Sequence, residues 1–410
     1  MLDTVCAAIG RYLDSRRQDQ VEFLAELVRV PSDNPPGDCA PLAARAAELL
    51  EGLGFAVERD PVPEAECRAH GMISATNLIV RRRFGPGPTI ALNAHGDVVA
   101  PGEGWSSDPY GAEIRGGRIY GRGVAVSKSD FATYAYALRA LEESGAPLAG
   151  TVELHLTCDE EAGGEIGPKR LLDRGLSKPD LALGAGFSYA VVTAHNGCLH
   201  LEVVVIGRSA HAALPDTGRD ALEAATGILS ALYAERADYA AVTSRIAGID
   251  TPTLVVGLIA GGINTNVVPD HVSFRLDRRM IPEERPDAVE GKLRHTIAAA
   301  AAGYPGIAVE VRRIMLAEAL KPLAGTARLL DPLIRHASRV FGVPVEATGS
   351  PLYTDGRHYA KAGIPTVLYG AGPRTLLAAN AHAADERLAL DDLRKATEVV
   401  ATALAEILAS

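Results

Sequence analysis

Two rhythms of apolar and polar positions alternate along the chain. Through QVEFLAELVRV (20–30) and PLAARAAELLEGLG (41–54) the apolar residues recur every three or four positions. That is the spacing of a helix with one buried face, so two helices are predicted there, broken at PSDNPPGD (31–38). NLIVRRR (77–83) and PTIALNAH (88–95) read as strands, and a loop rich in glycine and proline follows (98–123). A helix over SDFATYAYALRALEESG (129–145) and a strand over TVELHLTC (151–158) come next. Strands alternating with helices predict a largely parallel sheet covered on both faces. From about Cys198 the rhythm changes. LHLEVVVIG alternates like a strand with one wet face, and the order that follows is helix (220–236), strand (251–262), strand (270–280), helix (287–303) and strand (307–315). This is βαββαβ, the split arrangement of ferredoxin-like domains. After Met315 the pattern returns to helix, then a strand at PTVLYGAG (365–372), then a last helix from Leu390. The expected organisation is an α/β domain of residues 1–197 and 316–410, interrupted by a compact insert at 198–315.

Composition narrows the function classes. A length of 410 residues with 47% hydrophobic content suits two or three domains with a sizeable core. The apolar runs are short and broken, so no transmembrane span is expected. MLDTVCAAIGRYLDSRRQDQ lacks the basic-then-apolar order of a signal peptide. Five scattered cysteines, never in CxxC spacing, fit a reducing compartment, and a cytoplasmic location is expected. The net charge of −10 disfavours nucleic acid or an anionic membrane as partner.

Candidate chemistry gathers where strands end. Ligands of open α/β sheets bind beyond the carboxyl ends of the strands. His95-Gly96-Asp97 lies at one such end and Asp159-Glu160-Glu161 at another. Three adjacent carboxylates repel one another, and burying them unpaired is costly, so a positive partner is expected. Alone, HGD reads more readily as a salt-bridged loop, the acidic triplet equally as a solvated loop, and His382 in GPRTLLAANAHAADER (372–387) more readily as a structural histidine. Together, two imidazoles and a carboxylate form the His₂Glu set of zinc hydrolases, and the metal supplies the missing positive charge. A neighbouring carboxylate then takes a proton from water.

The motifs NAHGDVV (93–99), GWSSDPYGAEIRGGRIYGRG (104–123), CDEEAGG (158–164), GRSAHAALPDTGRDA (207–221), GGINTNVVPD (261–270), LDRRMIP (276–282), TDGRHY (354–359) and NAHAADE (380–386) follow one another in order. Through them nearly the whole chain resembles the aminoacylase and carboxypeptidase G family of metallopeptidases, which includes acetylornithine deacetylase and succinyl-diaminopimelate desuccinylase. The resemblance implies that His95 is a metal ligand oriented by Asp97, and that Glu160 is the general base. Glu161 and His382 are then ligands of a second metal. His211 and Asn266 bind substrate or the oxyanion, and Arg279 holds a substrate carboxylate. It also implies a homodimer formed through the insert, which lends His211 to the partner's site.

Two family positions are changed. The bridging aspartate expected three residues after GRG is Val126, and the acidic ligand of a GEP segment is Ala185. Asp130, one helical turn beyond Val126, is a candidate substitute bridge, though it reads more readily as a helix cap or a salt-bridge partner. Lys128 follows the family pattern, and Cys158 reads as a small buried residue. The expectation is about one divalent metal per chain near Glu161 and His382, with His95 completing the set or lying just outside it. Zinc suits the donors, and manganese or cobalt would also be tolerated. The function expected is metal-dependent cleavage of an amide in an N-acyl amino acid or small peptide-like carboxylate. The alternatives are a hydrolase of another C–N bond, such as an aromatic aminohydrolase, or a non-catalytic relative that binds a small carboxylate.

Overall fold

The computed structural model describes residues 2–409. Its Cα packing separates two compact units. One comprises 1–193, 322–348 and 354–410; the other comprises 194–321 and 349–353. The short return of 349–353 to the second unit has no counterpart in the sequence pattern.

The first unit is built on an eight-stranded sheet. Its spatial order is Val57–Pro61, Thr76–Arg83, Thr151–Thr157, Thr89–His95, Leu181–Gly184, Thr366–Leu368, Val191–His195 and Ala347–Ser350. The sheet is mixed rather than largely parallel. Thr89–His95 runs parallel to both Thr151–Thr157 and Leu181–Gly184, and Thr366–Leu368 runs parallel to Leu181–Gly184. The pairings of Thr76–Arg83 and of Val191–His195 with their inner neighbours are antiparallel. Parallel pairing needs a crossover, and the 16-residue helix Lys128–Glu143 provides one between Thr89–His95 and Thr151–Thr157.

Strand alternation assigns the two faces. Ile90, Leu92 and Ala94 enter the large core, which also takes in helices Leu2–Ser15, Arg17–Val28, Ala40–Gly52, Lys128–Glu143, Ala327–Phe341 and Leu390–Ile407. Ala91, between them, joins a smaller cluster with Ala182, Tyr359 and Ile364 on the other face. Helix Lys128–Glu143 is buried along most of its length, so its small residues at 132, 135, 137 and 140 let neighbours approach closely.

In the second unit four antiparallel strands lie in the order Thr253–Gly261, His271–Met280, Gly197–Ile206 and Ala308–Ala317. Helices Ala221–Ala237 and Pro286–Ala301 share one core with Leu199, Leu201, Val203, Phe274 and Leu276. The alternate residues, among them Cys198, His200, Asp277 and Arg279, form the opposite face. The βαββαβ order is that of a ferredoxin-like domain.

Candidate active site

The first unit brings its site residues together through backbone register. His95 pairs with Thr157, and the Gly96 N–H donates to the Thr157 carbonyl at 2.8 Å, so the HGD turn and the acidic turn leave adjacent strand ends together. Gly96 is required there, because a Cβ would lie 2.6 Å from Leu42 and 3.1 Å from Phe131.

Asp97 is fully buried and does more than orient His95. Its carboxylate accepts from the Asn34 amide at 2.9 Å and from the backbone N–H groups of Glu160 (3.2 Å) and Glu161 (3.0 Å). The His95 Nδ1 lies 3.3 Å from its Oδ1. One carboxylate thus fixes both the imidazole and the acidic turn. Asp159 turns away and accepts from the N–H groups of Ile166 (2.7 Å) and Gly167 (2.9 Å).

Glu160 and Glu161 diverge in environment. Glu160 is buried, and burial pushes its carboxyl up to about 7, against the lowering effect of His95. Glu161 Oε1 lies 3.4 Å from His382 Nε2. The hydrogen bond to Glu161 raises the pKa of that half-exposed imidazole. A left-handed backbone at His382 (φ 61°) turns the ring from the loop that follows the short helix Leu376–Ala379. Glu161 and His382 therefore meet. The ligand atoms of His95, Glu161 and His382 do not all come within 4.8 Å of one another; among the described residues the trio that does is Cys198, His200 and Asp277.

Val126 and Ala185 occupy the same edge. The Ala185 N–H donates to the Asn93 carbonyl at 2.8 Å, just beyond the strand Leu181–Gly184. The segment before Val126 is held by Glu386, which accepts from the N–H groups of Ala125 (2.9 Å) and Val126 (3.3 Å). Glu386 is paired at 2.6 Å with Arg122, and both are almost wholly buried. Asp130 is also buried, and its Oδ1 accepts the Ala371 N–H at 2.7 Å. A Cβ on Gly370 would come within 1.9 Å of that oxygen, so glycine is what lets the carboxylate dock on this backbone. Burial raises its pKa to about 7. Its role is thus neither a cap of its own helix nor a salt bridge. Lys128 is buried and donates to the carbonyls of Leu27 (3.1 Å) and Val30 (2.9 Å), which anchors the end of helix Arg17–Val28. Cys158 is a buried residue behind Gly96.

Sequence reasoning passed over the chemistry within TDGRHY. Arg357 donates to the Gly163 carbonyl, and the His358 ring lies 3.1 Å from it. Asp355 is buried with no hydrogen-bond donor to either oxygen among the described residues. Burial and the neighbouring Asp159 push its carboxyl well up. A buried arginine cannot be told from a surface one by spacing alone, so only the motif itself hinted at this group.

His211, Asn266 and Arg279 lie in the second unit. His211 is exposed, and its Nδ1 accepts the Ala213 N–H at 3.1 Å. The Asn266 carbonyl accepts the Ala212 N–H at 3.0 Å, which ties the two loops together. Arg279 Nε lies 3.0 and 3.2 Å from the Asp277 oxygens, with its guanidinium 5.4 Å from the centre of the Tyr353 ring. Burial raises the Asp277 pKa, but the His200 hydrogen bond and Arg279 outweigh it and leave the carboxyl below its ordinary value.

A strand-end cluster of imidazole and carboxylates beside a covered mixed sheet defines a metallohydrolase scaffold. The family model of peptidase family M20/M25/M40 matches residues 91–406, and the chain belongs to that family. It is 30% identical over 402 residues to a succinyl-diaminopimelate desuccinylase of Rhizorhabdus wittichii, covering 95% of this chain and 98% of that protein. The aminopeptidase PepT of Bacillus cereus is 25% identical, with a TM-score of 0.71 over 95% of this chain and 98% of that one. An M20 family metallo-carboxypeptidase of Sulfolobus solfataricus, 19% identical, shares the fold with a TM-score of 0.77 over 95% of this chain and 99% of that one. The chain is a hydrolase of C–N amide bonds in a metal-dependent family. No helix among the described residues is long and apolar enough to cross a membrane.

Proposed function

We propose that this chain removes the acyl group from an N-acyl amino acid or a small peptide-like carboxylate. The observation that carries the reading is a buried Glu160 with its pKa near 7 next in sequence to the Glu161–His382 pair. A carboxyl tuned to the working pH is suited to take a proton from water and give it to the leaving amine. Asp97 holds the Glu160 backbone and so fixes where that carboxyl stands.

The donors fit a divalent metal. Glu161 and His382 would hold it, with His95 beside them, and the crowded carboxyls of Asp159 and Asp355 have oxygens without a donor among the described residues. Such a metal supplies Lewis acidity, which polarises a carbonyl and lowers the pKa of water. Zinc is the first choice for N/O donors. We expect about one metal at this centre, because Val126 and Ala185 provide no carboxylate to screen a second cation beside it. Arg279, held by Asp277, anchors the substrate carboxylate. His211 and Asn266 contribute to binding substrate or the oxyanion. The edge strand Thr253–Gly261 exposes Val255, Leu258 and Ile259, which suits association through the second unit into a homodimer. A reducing, cytoplasmic setting agrees with five cysteines that form no disulfide among the described residues.

The test is a hydrolysis screen of N-succinyl and N-acetyl amino acids and dipeptides, with metal content measured before and after chelation. Turnover that is lost with the metal and regained with zinc, manganese or cobalt is expected. Turnover untouched by chelation, or none on any of these amides, defeats the reading. Arg279→Ala should weaken binding of carboxylate substrates about 10–100-fold, the worth of a charge-assisted hydrogen bond. Normal kinetics on such substrates in the variant would place the anchor elsewhere.

A further inference from the structure

On the face of the four-stranded sheet opposite its two helices, three different metal-binding side chains converge beside Arg279. His200 and Asp277 are directly opposite across strands Gly197–Ile206 and His271–Met280, and Cys198 is opposite Arg279. The period of two along each strand puts all four side chains on one face. His200 Nε2 lies 2.8 Å, and Cys198 Sγ 3.5 Å, from the same Asp277 oxygen. All three ligand atoms fall within 4.8 Å of one another.

We propose that Cys198, His200 and Asp277 form a second, sulfur-containing site for a zinc-like transition-metal ion, separate from the Glu161–His382 centre. Metal–ligand bonds of about 2.0–2.3 Å in a tetrahedron put the ligand atoms roughly 3.3–3.6 Å apart. The observed 2.8 and 3.5 Å are within a few tenths of an ångström of that. A thiolate with an imidazole selects zinc or cobalt over magnesium or calcium. Arg279 contacts both Asp277 oxygens and so acts as the outer partner that orients a ligating carboxylate. Cys198 is buried, whereas the side chains of His200 and Asp277 are 34% and 28% exposed, which leaves the ion a way in. Three protein ligands leave a fourth position for water or a small anion. On binding, the Cys198 thiol releases its proton to solvent, and the proton on His200 Nε2 moves to Nδ1 or is released. Loading therefore strengthens as pH rises.

The experiment is titration of the metal-free full-length chain with cobalt(II). None of Glu161, His382 and His95 offers sulfur, so an intense near-ultraviolet sulfur-to-cobalt charge-transfer band reports a thiolate site distinct from those ligands, and Cys198→Ser assigns it. We expect the band in the unmutated chain, its loss in Cys198→Ser, and its persistence in His382→Ala. His200→Ala should weaken cobalt binding at that band by at least about 10–100-fold. No band in the unmutated chain overturns the proposal without any variant having to fold. A band that survives Cys198→Ser assigns the thiolate to another cysteine and overturns it equally. Neither result bears on amide hydrolysis at the first unit, which the chelation screen tests separately.

Discussion

At the scale of single residues, the site works by giving like side chains unlike surroundings. Asp97, Asp159, Glu160 and Glu161 are all acids, yet backbone N–H groups hold Asp97 and Asp159, burial raises Glu160, and His382 faces Glu161. Glu160→Gln keeps size and burial but removes the basic oxygen. It should leave metal content intact and cut turnover by ~10²–10⁴-fold, the usual span for a general base. Undiminished turnover would strip Glu160 of that role. The same burial gives the metal-free chain a definite pH dependence. Glu160, Asp159 and Asp130 are raised to about 7, and His95 is raised well above its ordinary value by its acidic neighbours despite its burial. Raised groups stabilise the fold while protonated, and that contribution is lost as pH climbs from the unfolded carboxyl values near 4 through the folded values near 7. The melting temperature of the chelated protein should therefore fall between pH 5 and 8. A flat or rising profile would mean that these carboxyls are already ionised and compensated at pH 5.

Elements carry these residues, and here the sequence was legible to different depths. The helices at 17–28 and 40–52 and the ferredoxin-like order were readable because each buries one face against one core, which leaves a clean period. The antiparallel outer pairings of the large sheet left no such mark, since Thr76–Arg83 and Thr89–His95 show the same apolar run whichever way they pair. The Glu161–His382 meeting was legible only through motif order, as it joins residues 221 positions apart in the chain by way of a left-handed turn. The Arg122–Glu386 strut was invisible: Arg122 lies in a glycine-rich loop and Glu386 in an alanine-rich one, and both read as exposed. Its consequence belongs to the element, because Glu386 also holds the N–H groups of Ala125 and Val126 ahead of helix Lys128–Glu143. Glu386→Ala strands a buried guanidinium, at a cost of about 3–5 kcal/mol. Thermal melting should show a drop of several degrees, and replacing both partners by Arg122→Met with Glu386→Leu should recover only part of it, because the Ala125 and Val126 N–H groups still lose their acceptor. If Glu386→Ala melts with the unmutated chain, the strut is ornamental and the segment before Val126 is held by other contacts.

At the scale of the whole molecule, the question is how many chains make one working site. The residues proposed for acid–base work and metal binding belong to the first unit, whereas His211, Asn266 and Arg279 belong to the second. His211 is exposed, on a short ladder pairing Ala210–His211 with Val267–Val268, and the edge strand of the same unit leaves apolar side chains uncovered. An exposed imidazole on a unit with an unpaired strand edge is well placed to serve a second copy of the chain. Chain mixing tests this. With Glu160 as the proposed base and His211 as the proposed donated imidazole, Glu160→Gln and His211→Ala homodimers should each be nearly inactive. In a heterodimer that exchanges His211, one of the two sites receives Glu160 from one chain and His211 from the other, both intact. With random assortment of equal amounts, half of the dimers are mixed and each has one good site, so activity should return to about a quarter of the unmutated level. The figure follows from assortment alone, because each site needs only its own pair of residues. Full subunit exchange with no recovery would mean that His211 serves its own chain's site or none. A single species of monomer mass at assay concentration would remove the partner altogether.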